Sequence, residues 1–443
     1  MKVLINILKT KMARNALWLI GAKVYHVAVN LIVSLLMARY LGPSNYGLIN
    51  YAASFTALCT TFCTLGIGGI IVNELLHHRE EQGVLLGSSI GMRLISSTLS
   101  VMAIIGIAWV MNPQEPLTIQ VVAIYSLTLV FQSFDTINRW YQANLESRTE
   151  AMVAAIGYTA ACIYKVWLLV TQKDVRWFAA SHAVEGALVA LLLFRCYCRD
   201  REQGQRLRFS WNRGTQILSK SYHFILSGMM VAVYGQMDRI MLKAMLDETA
   251  VGYYSAAVAI CSMWPFLLSA LIEAAKPVIL SQFSVSRERF NQSIIVLYGA
   301  ILYISFAAAV FLSVFAEPII LILYGEAYVQ AKTALQIVSW YTAFSYLGVA
   351  RGIWIVATGM QKYEKYIAGI GAMSNLILNG LLIPVFGVGG AAFATLLTQI
   401  VTNFLAGFLF RDIRENNCLI LRSFMFWKYL SKPGEGQTGK DRL

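Results

Sequence analysis

The chain of 443 residues is 58% hydrophobic and 13% charged, with a formal net charge of +13 and a mean hydropathy of +0.60. A soluble protein of this size carries about a quarter charged residues, so a soluble globular fold is excluded. The apolar runs are continuous over roughly 20 residues rather than alternating, which points to membrane-crossing helices and not to a barrel.

Residues 1–14, "MKVLINILKTKMAR", are basic and lack a small-residue cleavage site, and read as a retained cytoplasmic leader. Six spans follow, at 15–38, 48–72, 83–110, 117–135, 150–171 and 177–196. The turn between the first two, "ARYLGPSNYGLINYA", breaks on Gly42 and Pro43, with Arg39 expected to reach the outer interface. Residues 197–218 form the one long polar and basic interruption. Six more spans follow, at 219–243, 250–275, 293–316, 332–358, 363–385 and 387–410, then a basic tail over 411–443. The sequence predicts an all-α polytopic membrane protein, twelve helices in two parallel six-helix lobes (15–196 and 219–410) about a central cavity. The lobes share a short similarity: "GLINYAA" aligns with "GYYSAAV", placing Gly47 on Gly252.

Twelve spans put both termini on one side. Of the 36 Lys and Arg, 26 fall on that side and 5 on the other, which makes it cytoplasmic by the positive-inside rule. The same bias accounts for most of the net charge, so nucleic acid is not an expected partner. The seven cysteines show neither a disulfide framework nor zinc-ligand spacing.

Ionisable residues inside spans are costly and mark a pathway or a site. Lys23 and Arg93 fall near the midplane, Lys165 and Arg239 nearer the outer side, and Arg351 toward the inner side. The acids available to them are Glu185 and Asp238, with Glu273 near an inner end. Two readings follow: a hydrated cationic cavity for an anionic substrate, or local pairing such as Lys165 with Glu185 and Arg239 with Asp238. Further on, Asn375 and Asn379 share one helix face, and Thr395 lies beyond a turn built on Pro384 and Gly387. With Asp238 they offer hard oxygen donors that suit a small cation, or interhelical hydrogen bonds that hold a lobe together. Glu185 is a further site for a coupling proton.

The stretches "ARYLGPSNYGLINYA", "YGQMDRIMLKAMLDETAVGYYSAA" and "NLILNGLLIPVFGVGGAAFAT" resemble the signatures of the bacterial polysaccharide (O-antigen type) flippases of the multidrug/oligosaccharidyl-lipid/polysaccharide exporter superfamily. That resemblance implies a transporter in the bacterial inner membrane. It would carry undecaprenyl-pyrophosphate-linked oligosaccharide from the cytoplasmic to the periplasmic leaflet by alternating access, beside a polysaccharide polymerase and chain-length proteins. It also implies a coupling Na⁺ or H⁺ and an ion site at Asp238, Asn375, Asn379 and Thr395, from which the amide at Asn379 removes a charge that an acid would supply. The substrate's diphosphate would meet Lys23, Arg93, Lys165, Arg351 and Arg239. Two rivals are a multidrug exporter of the same fold, for which an acid-rich cavity would be expected, and a membrane polysaccharide polymerase. The chain carries no Asp-x-Asp pair, nucleotide-binding glycine loop or nucleophile motif, so no enzyme is expected.

Overall fold

The computed structural model describes residues 11–201 and 205–429. All twelve predicted spans lie on helical chain, although several are interrupted. Helix α1 runs over Lys11–Thr64 and is bent at Gly42, whose φ of 70° and ψ of 173° place it outside helical geometry. A β-carbon would resist that backbone, and the following Pro43 has no amide to donate. α2 is Gly68–His77, α3 Gln82–Met111 and α4 Pro116–Ser126. Short turns over Leu127–Asp135 lead into α5, Thr136–Ala143. α6 spans Ser147–Val170, α7 Val175–Asp200, α8 Trp211–Met245 and α9 Glu248–Ser262.

The second half continues with α10, Phe266–Phe283, and α11, Arg287–Val314. The short helices α12 (Ala316–Leu323) and α13 (Ala331–Val338) precede α14, Tyr341–Thr358. α15 is Glu364–Ile400, broken at Gly387 with φ 57° and ψ −131°. It passes through a π-helical turn, Val401–Leu405, into Ala406–Leu409, and α16 is Arg414–Ser423. Eight helical stretches among the described residues are long and apolar enough to cross a bilayer, including Leu31–His77 (47 residues) and Gln361–Leu409 (49 residues). At a rise of about 1.5 Å per residue, stretches of that length reach about 70 Å, enough for two crossings each.

The chain forms two compact units. Unit 1 extends to Ser255 and takes in Leu323–Tyr328; unit 2 comprises Ala256–Ile322 and the chain from Val329 onward. The division therefore falls after Ser255 and not at the basic linker, because α8 packs on α1 and α3.

Within unit 1, α1 packs on α4, α6 and α8, and one core cluster gathers Ile71, Leu75, Leu86, Trp140 and Tyr141. The linker is part of this unit. Gly83, Gly87 and Gly91 form a smooth stripe on α3, and β-carbons there would overlap the Arg206 carbonyl, the Arg208 backbone and the Phe209 ring respectively. Arg208 N–H donates to the Gly83 carbonyl at 3.2 Å and Ser210 N–H to Ser88 Oγ at 2.9 Å. In unit 2, α11 packs on α10, α14 and α16 around Tyr298, Leu302, Leu347 and Trp354.

The continuous second span expected over 48–72 is corrected by the structure. It stops at Thr64 and restarts at Gly68, with positive φ at Leu65 (52°) and Gly66 (62°). The sequence "LGIGG" permits this break. The carbonyls that it frees are taken up by neighbouring side chains.

Candidate functional site

The break between α1 and α2 opens onto a cavity of about 890 Å³ within unit 1, lined by Gly66, Gly69, Arg93, Asp135, Arg139 and Lys220, with Glu74 beside Lys220. Five ionisable side chains converge here, three basic and two acidic.

Arg93, on α3, is buried to 7% exposure. Its Nε donates to the Cys63 carbonyl at 3.4 Å, Nη1 to Thr136 Oγ1 at 2.8 Å and Nη2 to the Gln132 carbonyl at 2.8 Å. Cys63 lies in the last turn of α1 and Gln132 ends the short helix Thr128–Gln132 that precedes α5, so one guanidinium holds the C-terminal ends of two helical segments. A cation is favoured there, where carbonyls lack intrahelical donors. Ser96 Oγ takes the adjacent Phe62 carbonyl at 2.8 Å. Arg93 thus braces the break with one hydrogen bond from each of its three nitrogens.

Arg139 and Lys220 are exposed. Arg139 donates to the neutral amide oxygen of Gln142 at 2.9 Å, and Lys220 Nζ lies 2.6 Å from Glu74 Oε1. A β-carbon on Gly68 would lie 3.7 Å from Arg139 Nη2, and one on Gly69 would meet nothing within 4 Å. The guanidinium therefore stands over the first turn of α2, and the backbone beside it is open.

The other predicted residues are dispersed. Lys165 sits 3.5 Å from Glu185 and is 5% exposed at its side chain, so the local-pairing reading is the geometry observed. Arg239 Nε donates to Ser255 Oγ at 3.0 Å and Nη1 to Gln236 Oε1 at 3.0 Å, while Asp238 accepts from the Tyr254 hydroxyl at 2.6 Å. Arg39 Nε donates to the Leu323 carbonyl at 2.9 Å. The Lys23 side chain lies outside the described residues.

In unit 2, Arg351 is 5% exposed. It donates to the Thr402 and Asn403 carbonyls at 3.4 and 3.3 Å and to Asn403 Oδ1 at 3.4 Å, bracing the π-helical turn, where the backbone departs from ordinary helical pairing. Asn379 Nδ2 donates to Asn375 Oδ1 at 3.1 Å, and Thr395 Oγ1 to the Ala391 carbonyl at 2.9 Å; both asparagines are fully buried. Asp238 belongs to unit 1 and these three residues to unit 2.

Sequence reasoning missed Asp135, Arg139, Glu74 and Lys220. Asp135 and Arg139 are four apart, one helical turn, but the sequence pattern ends the fourth span at 135 and leaves Arg139 among the loop charges. The triplet of glycines at 66, 68 and 69 was the available signal for the break.

The sequence profile of the family described as "Polysaccharide biosynthesis protein" matches residues 12–283. The capsular polysaccharide biosynthesis protein CapF of Staphylococcus aureus is 20% identical over 404 residues, covering 88% of this chain and 97% of that protein. Among solved structures, the lipid II flippase MurJ in an inward closed conformation superposes with a TM-score of 0.70 at 16% identity, covering 95% of this chain and 94% of its own. A multidrug resistance MATE family transporter of the MOP superfamily, inward-facing, gives 0.69 at 14% identity, covering 90% and 96%. At these identities the two structures establish the shared fold.

Proposed function

The chain belongs to the polysaccharide biosynthesis protein family, and from that premise we propose that it is a flippase for undecaprenyl-pyrophosphate-linked oligosaccharide, an O-antigen or similar surface-glycan repeat unit. The lipid-linked sugar enters from the cytoplasmic leaflet and leaves to the periplasmic leaflet as the binding surface is exposed alternately to each side. The setting is the bacterial cytoplasmic membrane with both termini inside, as the distribution of basic residues favours. A polysaccharide polymerase and chain-length proteins would act on the exported unit.

One observation carries this reading: Arg93, Arg139 and Lys220 outnumber Asp135 and Glu74 around a cavity of about 890 Å³. A cleft lined by an excess of one sign of charge attracts the opposite sign, and a diphosphate is the anionic part of such a lipid. Lys165 and Arg351 enter the mechanism with partners already in place, as structural braces. Coupling to Na⁺ or H⁺ is proposed through Asp238, Asn375, Asn379, Thr395 or Glu185, whichever binds the ion unequally in the two exposed states.

The test is export in a strain lacking the protein. Accumulation of lipid-linked repeat units on the inner leaflet, relieved by the wild-type chain, is the expected result. Single units already on the outer leaflet would point to a polymerase defect and overturn the reading. Export of cationic drugs by purified protein in vesicles, without movement of the diphospholipid, would replace it with the multidrug alternative.

A further inference from the structure

We propose that Arg139 and Lys220 are the residues that hold the phosphate end of the transported lipid, with the first turn of α2 beneath them, and that Glu74 competes with the phosphate for Lys220. The proposal rests on the flippase reading and names where within unit 1 the substrate's charge is met.

Three features of the cavity lead there. Arg93, the one cation of this cavity that sequence reasoning selected, has donors on all three nitrogens committed to Cys63, Thr136 and Gln132. Arg139 gives a hydrogen bond to a neutral amide, leaving most of its N–H groups for the cavity. Lys220 holds a carboxylate at 2.6 Å, but its side chain is 57% exposed, so it is accessible to a second anion.

The placement of Arg139 is informative in sign. A helix N-terminus carries partial positive charge and amides without intrahelical acceptors. A guanidinium beside it is therefore the unfavourable pairing. Here Arg139 Nη2 stands 3.7 Å from where a Gly68 β-carbon would be, and Asp135 on the same wall offsets part of the repulsion. An anion seated between the guanidinium and the Gly68–Gly69 backbone turns that repulsion into two attractions. Open space above Gly69 leaves room for it. Guanidinium matches phosphate oxygens in a bidentate fork, and the ammonium acts as a second point charge.

Glu74 gives the arrangement a test that a plain ion pair does not share. If Lys220 and Glu74 only brace one another, removing either has the same consequence. If Lys220 serves the phosphate, removing the carboxylate frees it.

The experiment uses the full-length protein in nanodiscs, with undecaprenyl diphosphate and, separately, inorganic pyrophosphate as probes, and with the unfolding temperature recorded for each variant. Arg139→Gln is expected to weaken undecaprenyl diphosphate binding about tenfold or more, the loss of a charge-assisted hydrogen-bond pair, with Arg139→Lys restoring part of it. Lys220→Gln weakens binding and Glu74→Gln tightens it, in opposite directions. Inorganic pyrophosphate competes, more weakly than the lipid. Equal affinity in wild type, Arg139→Gln and Lys220→Gln, with Glu74→Gln and Lys220→Gln shifting only the unfolding temperature, overturns the assignment while leaving the flippase reading intact. Failure of the wild-type chain to bind or move the diphospholipid instead overturns that reading. Binding of inorganic pyrophosphate alone overturns the lipid as occupant.

Discussion

Gly47 and Gly252 occupy reciprocal positions in unit 1: a β-carbon on Gly47 would overlap the Glu248 carbonyl, and one on Gly252 would overlap the Pro43 carbonyl. Each glycine admits the turn that precedes the other. The internal similarity that aligns these two residues in sequence is thus realised as mutual close packing of the α1 bend and the start of α9. Replacing either by alanine is expected to destabilise the protein by about 1–3 kcal/mol through overpacking. Gly106, mid-helix on α3 with nothing within 4 Å, is the control: Gly106→Ala should leave stability equal or up to about 1 kcal/mol higher. Thermal unfolding of the purified variants measures both; a neutral Gly47→Ala would mean that the contact is absent.

Beside this contact, Lys243 lies 2.8 Å from Glu115 and 2.7 Å from Glu248, with Thr118 donating to Glu115 and Ser44 to Glu248. Burial opposes ionisation of both carboxyls, but the hydrogen bonds and charge of Lys243 outweigh it, so both sit below the usual carboxylate range. A folded-state pKa below the unfolded value of about 4.3 stabilises fully at higher pH and is lost as pH falls through the folded value. Wild-type unfolding temperature should exceed that of a Glu115→Gln/Glu248→Gln variant by a constant margin from pH 8 to about 5.5. The margin should then shrink below about pH 4. A margin that grew on acidification would reverse the sign of the coupling.

Arg93 and Arg139 line one cavity but should fail differently. Arg93→Ala removes donors from two carbonyls and a buried hydroxyl, at about 1–3 kcal/mol for each group left without a partner. Its unfolding temperature and its transport should therefore fall together. Arg139→Gln, at an exposed position, should lose transport with an unchanged unfolding temperature. Parallel melts and flipping assays in vesicles separate the two, and an Arg93→Ala protein as stable as wild type would remove its bracing role.

Lys165 and Glu185 form a pair of largely buried groups. Either single alanine variant leaves a charge without its counter-ion, which is costly in such surroundings, whereas removing both is tolerated better. The double variant should therefore be more stable than at least one single variant when their thermal unfolding is compared. A double variant less stable than both single variants would mean that the two groups do not neutralise one another.

The sequence by itself determined that the chain is all-helical and membrane-crossing, where the apolar stretches lie, and that the bend at Gly42 and the break at Gly387 are needed. These features depend on local chemistry: burial of apolar length, and backbone torsions that only particular residues adopt. Tertiary structure decided which charges are neutralised and which face a cavity. Glu74 lies 146 residues from its partner Lys220, and Arg93 lies 43 residues from Thr136, separations that no local pattern encodes. Arg93 read alone is an unpaired cation in lipid; packed against two helix ends, it is a brace. Asp135 reads as the end of a span and Arg139 as a loop charge; the break at Leu65–Ile67 brings α2 beside them and makes a site. A charge's role depends on what the fold sets within a few ångströms of it, because Coulomb energy and hydrogen bonding are decided at that range.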